Sequence, residues 1–431
     1  MKKEWNKKKN EKLLNYLEQD LSRPYHYISR HIGLPVNNDC YTNDNTLVIG
    51  GAGEGKTMYA LQNILQMHGS YIVADTCNEL YNSTHEALEK NGYLVYKIDM
   101  EHPEQGNLYN PFAQLTQNKT GLYNISDIEQ ICKSILTVYE KRNDILWFDT
   151  MQSLLYSVIF YMLETQPLQY WNFDTVLQLI QRNRCFDKLD YSSKDNLLIK
   201  NDFHYMLLQH VKRNPNSQCK QFCKIFDLVS INTFKEIVEL LHVIISTMCR
   251  NTNQKQPAIC LSEILIMKVA IFIETPIGDY NNPFTAILIN QAIAILYKHE
   301  NQNYPIHFII DSQVMEMSNL YRSDEVLATC GKYNIRFSYL RNSLQKQEDA
   351  IYGNIDNLLF LGSRSLSTCD EIAKLYCQSF VPRKRKKNIF RVVQKTTQQE
   401  RPIITSAQLY RLPLDKCIFM KRNYGMLIDE K

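Results

Sequence analysis

The residues whose types and spacing suit ligand binding and catalysis are concentrated in one run, Gly50-Gly51-Ala52-Gly53-Glu54-Gly55-Lys56-Thr57. The run has the pattern G-x-x-x-x-G-K-[ST], in which glycines let successive backbone N–H groups turn inward around phosphate oxygens. Lys56 in this pattern reaches the β and γ phosphates of a nucleotide, and the hydroxyl of Thr57 holds a Mg²⁺ ion. The run therefore predicts a binding site for ATP and Mg²⁺.

The segments on either side of this loop are the ones that such a loop requires. Thr46–Ile49 is a short apolar run that predicts a buried strand, and Met58–Met67 has the apolar spacing of a helix without Gly or Pro. A helix that begins after the loop directs its positive end at the phosphates. The alternative, a glycine-rich turn that matches the pattern by chance, does not explain this context.

A second motif supplies the acidic residue that a nucleotide site of this kind needs. The run from His307 to Asp311 has largely apolar residues that lead into a carboxylate. In such proteins an Asp at the end of a strand holds Mg²⁺ together with the hydroxyl of the loop. We therefore expect Asp311 to bind the metal with Thr57. The alternative is a strand that simply ends in Asp at a turn.

The residue after Asp311 departs from the usual arrangement for hydrolysis. Many ATPases place a glutamate there to activate the attacking water, whereas this chain has Ser312. Loss of a general base lowers a rate by about 10²–10⁴. Glu316, four residues beyond Ser312, and Glu79, after the second predicted strand, are candidate substitutes. The alternative is that both are solvated surface acids.

The composition is that of a globular protein that can bury a large core. The chain has 431 residues, 44% of them hydrophobic, and its net charge of +4 is too small to indicate a nucleic-acid partner by itself. No apolar run reaches the roughly 18 residues of a membrane span, so Leu154–Leu163 is predicted to be a buried helix. Twelve scattered cysteines without a signal peptide indicate reduced thiols in the cytoplasm. Cys219 and Cys223 show no matching pair of ligands nearby, so no zinc site is predicted.

The order of apolar runs predicts an α/β fold in four parts. In 46–114, strand-like runs alternate with helical segments, which implies a parallel sheet with right-handed crossovers. In 115–250 the periodicity is helical, which predicts an inserted all-α domain. Strand-like runs resume in 251–431 and complete a mostly parallel central sheet. Residues 1–45 are predicted to form a polar N-terminal arm.

One basic cluster stands out, Arg383-Lys384-Arg385-Lys386-Lys387. Five adjacent cations along a phosphate backbone release counterions and give a salt-sensitive affinity that does not depend on sequence. The alternative is a solvated loop before the predicted strand Ile389–Val393. The chain carries no helix-turn-helix or zinc-finger pattern, so nothing in it indicates sequence-specific DNA recognition.

Further segments occur in the order that is typical of one family. They are Gly69–Asp75, Leu88–Tyr93, Tyr109–Phe112, Ala328–Ile335, Asn354–Gly362, Arg401–Thr405 and Arg411–Cys417. With the loop and Asp311, they make the chain resemble the type IV coupling proteins of conjugative elements, the TraG/TraD-like ATPases. The likeness is greatest to the versions found in Gram-positive bacteria. The matching segments span positions 46 to 420.

This resemblance implies a hexameric ring of RecA-like P-loop NTPase domains with ATP bound between subunits. It also implies DNA or a relaxase–DNA complex as a partner, together with components of a type IV secretion channel. Family members normally carry transmembrane helices ahead of the ATPase domain. A small membrane anchor protein would supply that role for this chain and hold it peripherally at the inner face of the membrane.

The comparison with the family also identifies departures. Asn342 stands where the family usually carries a Gln that senses the γ-phosphate, and Ser312 replaces the glutamate. After the second strand, Thr76–Glu79 keeps only the glutamate of a Pro-Lys-Gly-Glu run. Candidates for the arginine that completes the site of a neighbouring subunit are Arg322, Arg341 and Arg401.

Three interpretations remain open at this point. The leading one is a coupling-protein-like ATPase that engages DNA or a relaxosome for conjugative transfer. In the second, the chain is a degenerate regulatory or assembly subunit that binds nucleotide and hydrolyses little, as Ser312 indicates. In the third, it is a cytosolic DNA translocase of the HerA/FtsK-like group, unconnected with secretion.

Overall fold

The computed structural model describes residues 13–15, 17, 25–36, 44–140, 145–184, 201–227, 229–249, 258–276, 282–299, 303–344, 353–375, 378–382, 398–422 and 425–431. The basic cluster Arg383–Lys387 and the predicted strand Ile389–Val393 lie outside the described residues. The positions that bear on the predicted nucleotide site all lie within them.

A central sheet organises the molecule. The strands of the described residues are β1 (Tyr25–Ser29), β2 (Ile32–Pro35), β3 (Thr46–Gly50), β4 (Ser70–Asp75), β5 (Leu94–Asp99), β6 (Val269–Glu274), β7 (Ile306–Asp311), β8 (Ile335–Arg341), β9 (Asn357–Gly362), β10 (Gln378–Pro382), β11 (Gln398–Pro402), β12 (Lys416–Lys421) and β13 (Gly425–Glu430). Nine of them form one sheet in the order β13-β12-β9-β3-β8-β7-β4-β6-β5. The run from β9 to β5 is parallel, and β12 and β13 are added antiparallel. The predicted mostly parallel sheet is confirmed.

Helices connect the strands and cover the sheet. They are α1 (Lys56–Leu65), α2 (Glu79–Lys90), α3 (Ile125–Glu140), α4 (Ile145–Thr165), α5 (Phe173–Arg182), α6 (Asp202–Arg213), α7 (Ile231–Ser246), α8 (Pro283–Lys298), α9 (Ser323–Thr329), α10 (Leu366–Leu375) and α11 (Ser406–Tyr410). None of the described helices is both long enough and apolar enough to cross a membrane.

Both faces of the sheet are buried, which explains why its strands read as nearly continuous apolar runs. Successive residues of a strand point to opposite faces. Val48 packs in one core layer with α1 and α2, whereas Leu47 and Ile49 pack in the other layer with α3 to α8. The two layers give the sheet a front, under α1 and α2, and a back, under α3 to α8.

Helices α3 to α7 follow β5 and precede β6 in the chain. The apolar run Leu154–Leu163 lies in α4, where Leu154, Val158 and Phe160 are fully buried. It is therefore a core helix, as its length predicted. The helix α6 was not predicted, and the division of the chain at 114 and 250 stays a prediction.

A small antiparallel hairpin, β1–β2, lies within the segment predicted to be a polar arm. Edge strand β13 holds it, because Ser29 Oγ donates to Asp429 at 2.6 Å and Arg30 pairs with Glu430 at 2.9 Å. Ile28 and Leu34 of the hairpin are almost fully buried in the front core layer. Part of the predicted arm is thus an ordered element packed on the sheet domain.

Candidate nucleotide-binding site

The parallel strands bring the predicted site residues to one edge of the sheet. The carboxyl ends of β3, β8, β7 and β4 lie side by side, with β8 between the loop strand β3 and the Asp311 strand β7. Ligands of open α/β sheets bind at such an edge, beyond the carboxyl ends of the strands. The geometry at this edge therefore decides what the site does.

The loop Gly50–Thr57 leaves β3 and enters α1 as the pattern requires. Gly53 and Gly55 have φ angles of 76° and 100°, a left-handed backbone that side chains other than glycine rarely adopt. Gly55 is also the N-cap of α1, which begins at Lys56. The N-terminus of α1, with its unpaired N–H groups and positive dipole end, thus lies at the loop. This is an anion-binding arrangement of the backbone.

Lys56 is held by three acceptors at the centre of the site. Its Nζ donates to the carbonyl oxygens of Gly50 at 2.7 Å and Gly51 at 3.1 Å, and to Asn342 Oδ1 at 2.6 Å. Burial lowers the pKa of Lys56, and the charges of Asp311 and Glu54 oppose that shift. The structure thus brings the predicted phosphate-binding lysine and the predicted γ-phosphate sensor into direct contact.

Asp311 ends β7 at the same edge, and its Oδ1 accepts a hydrogen bond from the backbone N–H of Gln313 at 2.8 Å. Burial raises the pKa of Asp311, while the Gln313 hydrogen bond and the charge of Lys56 lower it. A cation at this carboxylate would offset the unfavourable burial of its charge. Thr57, the second residue of α1, is partly accessible to solvent. Oxygens of both types are what Mg²⁺ prefers as ligands.

The two glutamates predicted as substitutes for a base take different places. Glu79 is the exposed first residue of α2, just beyond β4. The carboxylate of Glu316 accepts a hydrogen bond from Tyr339 and lies 3.6 Å from the Arg341 guanidinium. Tyr339 packs in the back core layer, whereas α1 lies on the front of the sheet. Glu316 is thus engaged by β8 side chains on the face opposite α1.

Sequence reasoning missed Asp75, the last residue of β4. Strand β4 is the neighbour of β7, with Ala74 paired to Ile310, so Asp75 ends its strand beside Asp311. The negative charge of Asp75 contributes to the raised pKa of Asp311. Its two oxygens accept the N–H groups of Thr76 at 2.8 Å and Leu80 at 3.3 Å. The signal was present, because Ser70–Asp75 is an apolar strand that ends in Asp, like the strand of Asp311.

The candidate arginines differ in accessibility. Arg341 is 2% exposed and faces Glu316, so it cannot reach another subunit in this conformation. The side chain of Arg322 is 62% exposed, with Glu325 3.4 Å away. Arg401 lies on β11, opposite Ser379 of β10. Of Arg322 and Arg341, only Arg322 presents its guanidinium to solvent.

A second group of metal-binding residue types lies among the α3–α7 helices. Atoms of Glu164, His210 and Cys219 lie within 4.8 Å of one another. Cys219 thus has potential metal ligands nearby, contrary to the sequence-based expectation. His210 Nε2 is 2.7 Å from the Glu164 carboxylate, and Ser217 Oγ also donates to it at 2.5 Å. These are hydrogen-bond distances, so we interpret the group as a partly buried carboxylate whose hydrogen bonds are satisfied.

Comparisons with known proteins bear on the family and on the fold. The family model described as type IV secretory system conjugative DNA transfer matches residues 2–217, half of the chain. No curated protein matches the chain significantly. Among solved structures, the unbound bacterial conjugative coupling protein TrwBΔN70 has a TM-score of 0.64 at 11% identity, covering 98% of this chain and 90% of that one.

A structure of TrwB in complex with ADP and Mg²⁺ gives a TM-score of 0.63 at 10% identity, covering 95% of this chain and 89% of TrwB. A third, TrwB in complex with an ATP analogue, gives 0.62 at 11% identity with the same coverages of 95% and 89%. At these identities the likeness establishes the fold, a RecA-like P-loop NTPase. The match of the family model to half of the sequence establishes more: this chain belongs to the family of type IV secretory system conjugative DNA transfer proteins.

Proposed function

We propose that this chain is an ATP- and Mg²⁺-binding coupling ATPase that engages DNA or a relaxase–DNA complex for transfer through a type IV secretion channel. The observation that carries the proposal is the constellation of Lys56, Asn342 and Asp311 around an intact phosphate-binding loop. The TrwB structures with ADP–Mg²⁺ and with an ATP analogue support the choice of ligand. Membership of the conjugative transfer family supports the choice of process.

In this proposal the chain's own groups divide the work. The loop N–H groups and Lys56 bind the phosphates, and Thr57 with Asp311 holds Mg²⁺, which neutralises the charge that develops in phosphoryl transfer. Asn342, at 2.6 Å from Lys56 Nζ, registers the presence of the γ-phosphate, since a phosphate oxygen would compete with it for the ammonium. Of the two predicted replacement bases, Glu79 is exposed, whereas Glu316 is engaged by Tyr339 and Arg341.

Assembly and location complete the proposal. Homo-oligomerisation, as a hexamer, places Arg322 of one subunit against the nucleotide of the next. The Arg383–Lys387 cluster contacts DNA phosphates without reading sequence. A membrane partner or channel component holds the ATPase at the inner face of the membrane.

Transfer of a marked mobile element from donor cells tests the proposal. Replacing the gene in the donor cells with a Lys56→Ala variant should reduce transfer by at least about a hundredfold, since the loop lysine is proposed to act directly on the phosphates. A Lys416→Ala variant, which removes a surface pair with Glu430, is the matched control. Unchanged transfer with stable Lys56→Ala protein would exclude the proposed role.

A second candidate function rests on Ser312. A chain that lacks the usual base binds nucleotide and partners but scarcely turns over, and serves as an assembly or regulatory subunit. Under this reading Lys56→Ala still reduces transfer, whereas DNA does not stimulate hydrolysis. Co-purification with a relaxase or a small membrane protein fits both functions and would exclude a translocase unconnected with secretion.

A further inference from the structure

Glu54 lies inside the phosphate-binding loop, where its negative charge is close to the predicted position of the phosphates. Glu54 is 9% exposed to solvent. The negative charge of its carboxylate is one of the charges that raise the pKa of Lys56. The backbone N–H groups of the same loop are predicted to bind phosphates, so an uncompensated carboxylate there would repel the ligand. The structure shows how this charge is compensated and where it is held.

Lys431, which follows edge strand β13, supplies the compensating charge. Its Nζ lies 2.9 Å from Glu54 Oε2, and the two side chains are only 19% and 10% exposed. The backbone N–H of Lys431 donates to Asp415 O at 2.9 Å, which anchors the residue directly after edge strand β13. The pair is therefore formed by two fixed elements that are 377 residues apart in sequence.

Gly362, at the end of β9, makes room for the Glu54 carboxylate. Its φ angle is +135°, and a Cβ atom at this position would lie 2.7 Å from Glu54 Oε2. Its carbonyl oxygen accepts the N–H of Gly51 at 2.9 Å, so the end of β9 is bonded directly to the loop. Gly362 and Lys431 together keep the carboxylate of Glu54 at the β9 side of the loop.

We propose that Lys431 is a positioning residue of the nucleotide site, which sets phosphate affinity by neutralising Glu54 and holding it against Gly362. This inference rests on nucleotide binding at the loop, as in the proposed function. The local charge of the pair is then the controlling quantity: zero in the wild type, negative without Lys431 and positive without the Glu54 carboxylate.

Calorimetric titration of the full chain with Mg²⁺–ADP and with a non-hydrolysable ATP analogue tests this charge series. Lys431→Ala should weaken binding by about tenfold, and Glu54→Gln should strengthen it by about threefold, as screened charges near a surface do. The double variant, again neutral, should fall between the two single variants. The differences should shrink at high salt, and Lys431→Arg should restore binding.

Lys416→Ala is the matched control, because Lys416 pairs with Glu430 at 3.1 Å and lies in the same hairpin. Equal weakening in Lys431→Ala and in the double variant would show a loss of packing and overturn the proposal, as would wild-type binding by Lys431→Ala. If the wild type binds no nucleotide, this inference and the proposed function both fall. A normal charge series with no DNA-stimulated turnover would leave the inference standing and remove the motor function.

Discussion

Lys56 Nζ lies 2.6 Å from Asn342 Oδ1, although the two residues are 286 positions apart in sequence. Lys56 begins α1 at the loop, and Asn342 follows β8, the strand between the loop strand and the Asp311 strand. The contact joins the residue that is predicted to bind phosphates to the end of the next strand. A phosphate bound at Lys56 would therefore also affect Asn342 at the end of β8.

Removing the Asn342 side chain should reduce the discrimination between ATP and ADP. In Asn342→Ala a γ-phosphate bound at Lys56 would lose the side-chain amide N–H of Asn342 as a hydrogen-bond donor, whereas ADP would lose nothing, so we expect the ratio of ATP affinity to ADP affinity to fall by about tenfold. Turnover should fall by about 10²-fold, as for loss of one group that stabilises transition-state charge. Titration with ADP and an ATP analogue measures the ratio. Asn303→Ala, at an exposed position, is the control, and an unchanged ratio in Asn342→Ala would contradict the sensor role.

Placing a carboxylate beside Asp311 should accelerate hydrolysis. Ser312 follows Asp311 directly, and its backbone N–H is fixed by Leu340 O at 2.9 Å. A Ser312→Glu variant supplies the base at the usual position, and we expect turnover to rise by at least about tenfold, towards the 10²–10⁴ typical of a general base. Ser312→Gln has the same length without the carboxylate. Equal rates in both variants would mean that hydrolysis is limited elsewhere.

The sequence was most informative for elements that can be recognised from their own residues alone. The strand at Thr46–Gly50 and the one that ends at Asp311 are buried on both faces, so their apolar runs were unmistakable. Edge strand β13 is half exposed and mixes Met, Leu and Ile with Asp and Glu, which conceals it. In α6, the three most buried side chains are Phe203, His204 and Leu207, too few for a clear helical period.

Contacts between residues on different strands of the sheet could not be predicted from the sequence. Motifs identified Lys56 and Asn342 separately, but only the strand order shows that they touch. Glu316 is a candidate because its spacing of four residues from Ser312 is that of one helical turn, whereas the structure has a turn there, followed by a 3₁₀ helix from Met317 to Asn319. The placement of Glu316 beside Tyr339 and Arg341 therefore depends on tertiary packing, which local spacing does not encode.

Acid should destabilise the fold through His307, which is 3% exposed. Burial, and next the charge of Arg336, lowers its pKa from 6.5 to about 3. His307 binds a proton more readily in the unfolded chain than in the folded one. The contribution of neutral His307 to the free energy of unfolding is therefore complete above pH 6.5 and is lost as the pH falls towards 3.

Urea unfolding at pH 7 and pH 5 measures this effect. Between these values His307 should account for about 2 kcal/mol of lost unfolding free energy, at about 1.4 kcal/mol per pH unit. Between pH 7 and pH 5, the unfolding free energy of a His307→Asn variant should fall by about 2 kcal/mol less than that of the wild type. The exposed His102→Asn variant should behave like the wild type, and equal losses in all three proteins would refute the assignment.

The Arg383–Lys387 cluster should supply sequence-independent DNA affinity. Replacing its five cations with Gln should weaken binding to all DNA sequences alike and reduce the slope of log affinity against log salt by about 0.9 for each lost phosphate contact on duplex DNA. Fluorescence anisotropy with several unrelated duplexes at different salt concentrations measures both quantities. Replacement of Lys2, Lys3, Lys7, Lys8 and Lys9 with Gln removes the same number of charges and is the control for net charge. An unchanged salt slope in the five-residue variant would mean that the cluster is a solvated loop.

The most direct test of the central claim is ATP turnover of the purified chain, with and without single-stranded and duplex DNA, beside a Lys56→Ala variant. A working coupling ATPase should show turnover that DNA stimulates and that Lys56→Ala abolishes, because Lys56 lies at the centre of the proposed site. ATP turnover at the level of the Lys56→Ala variant, unaffected by DNA despite tight nucleotide binding, would contradict the account and favour a regulatory subunit.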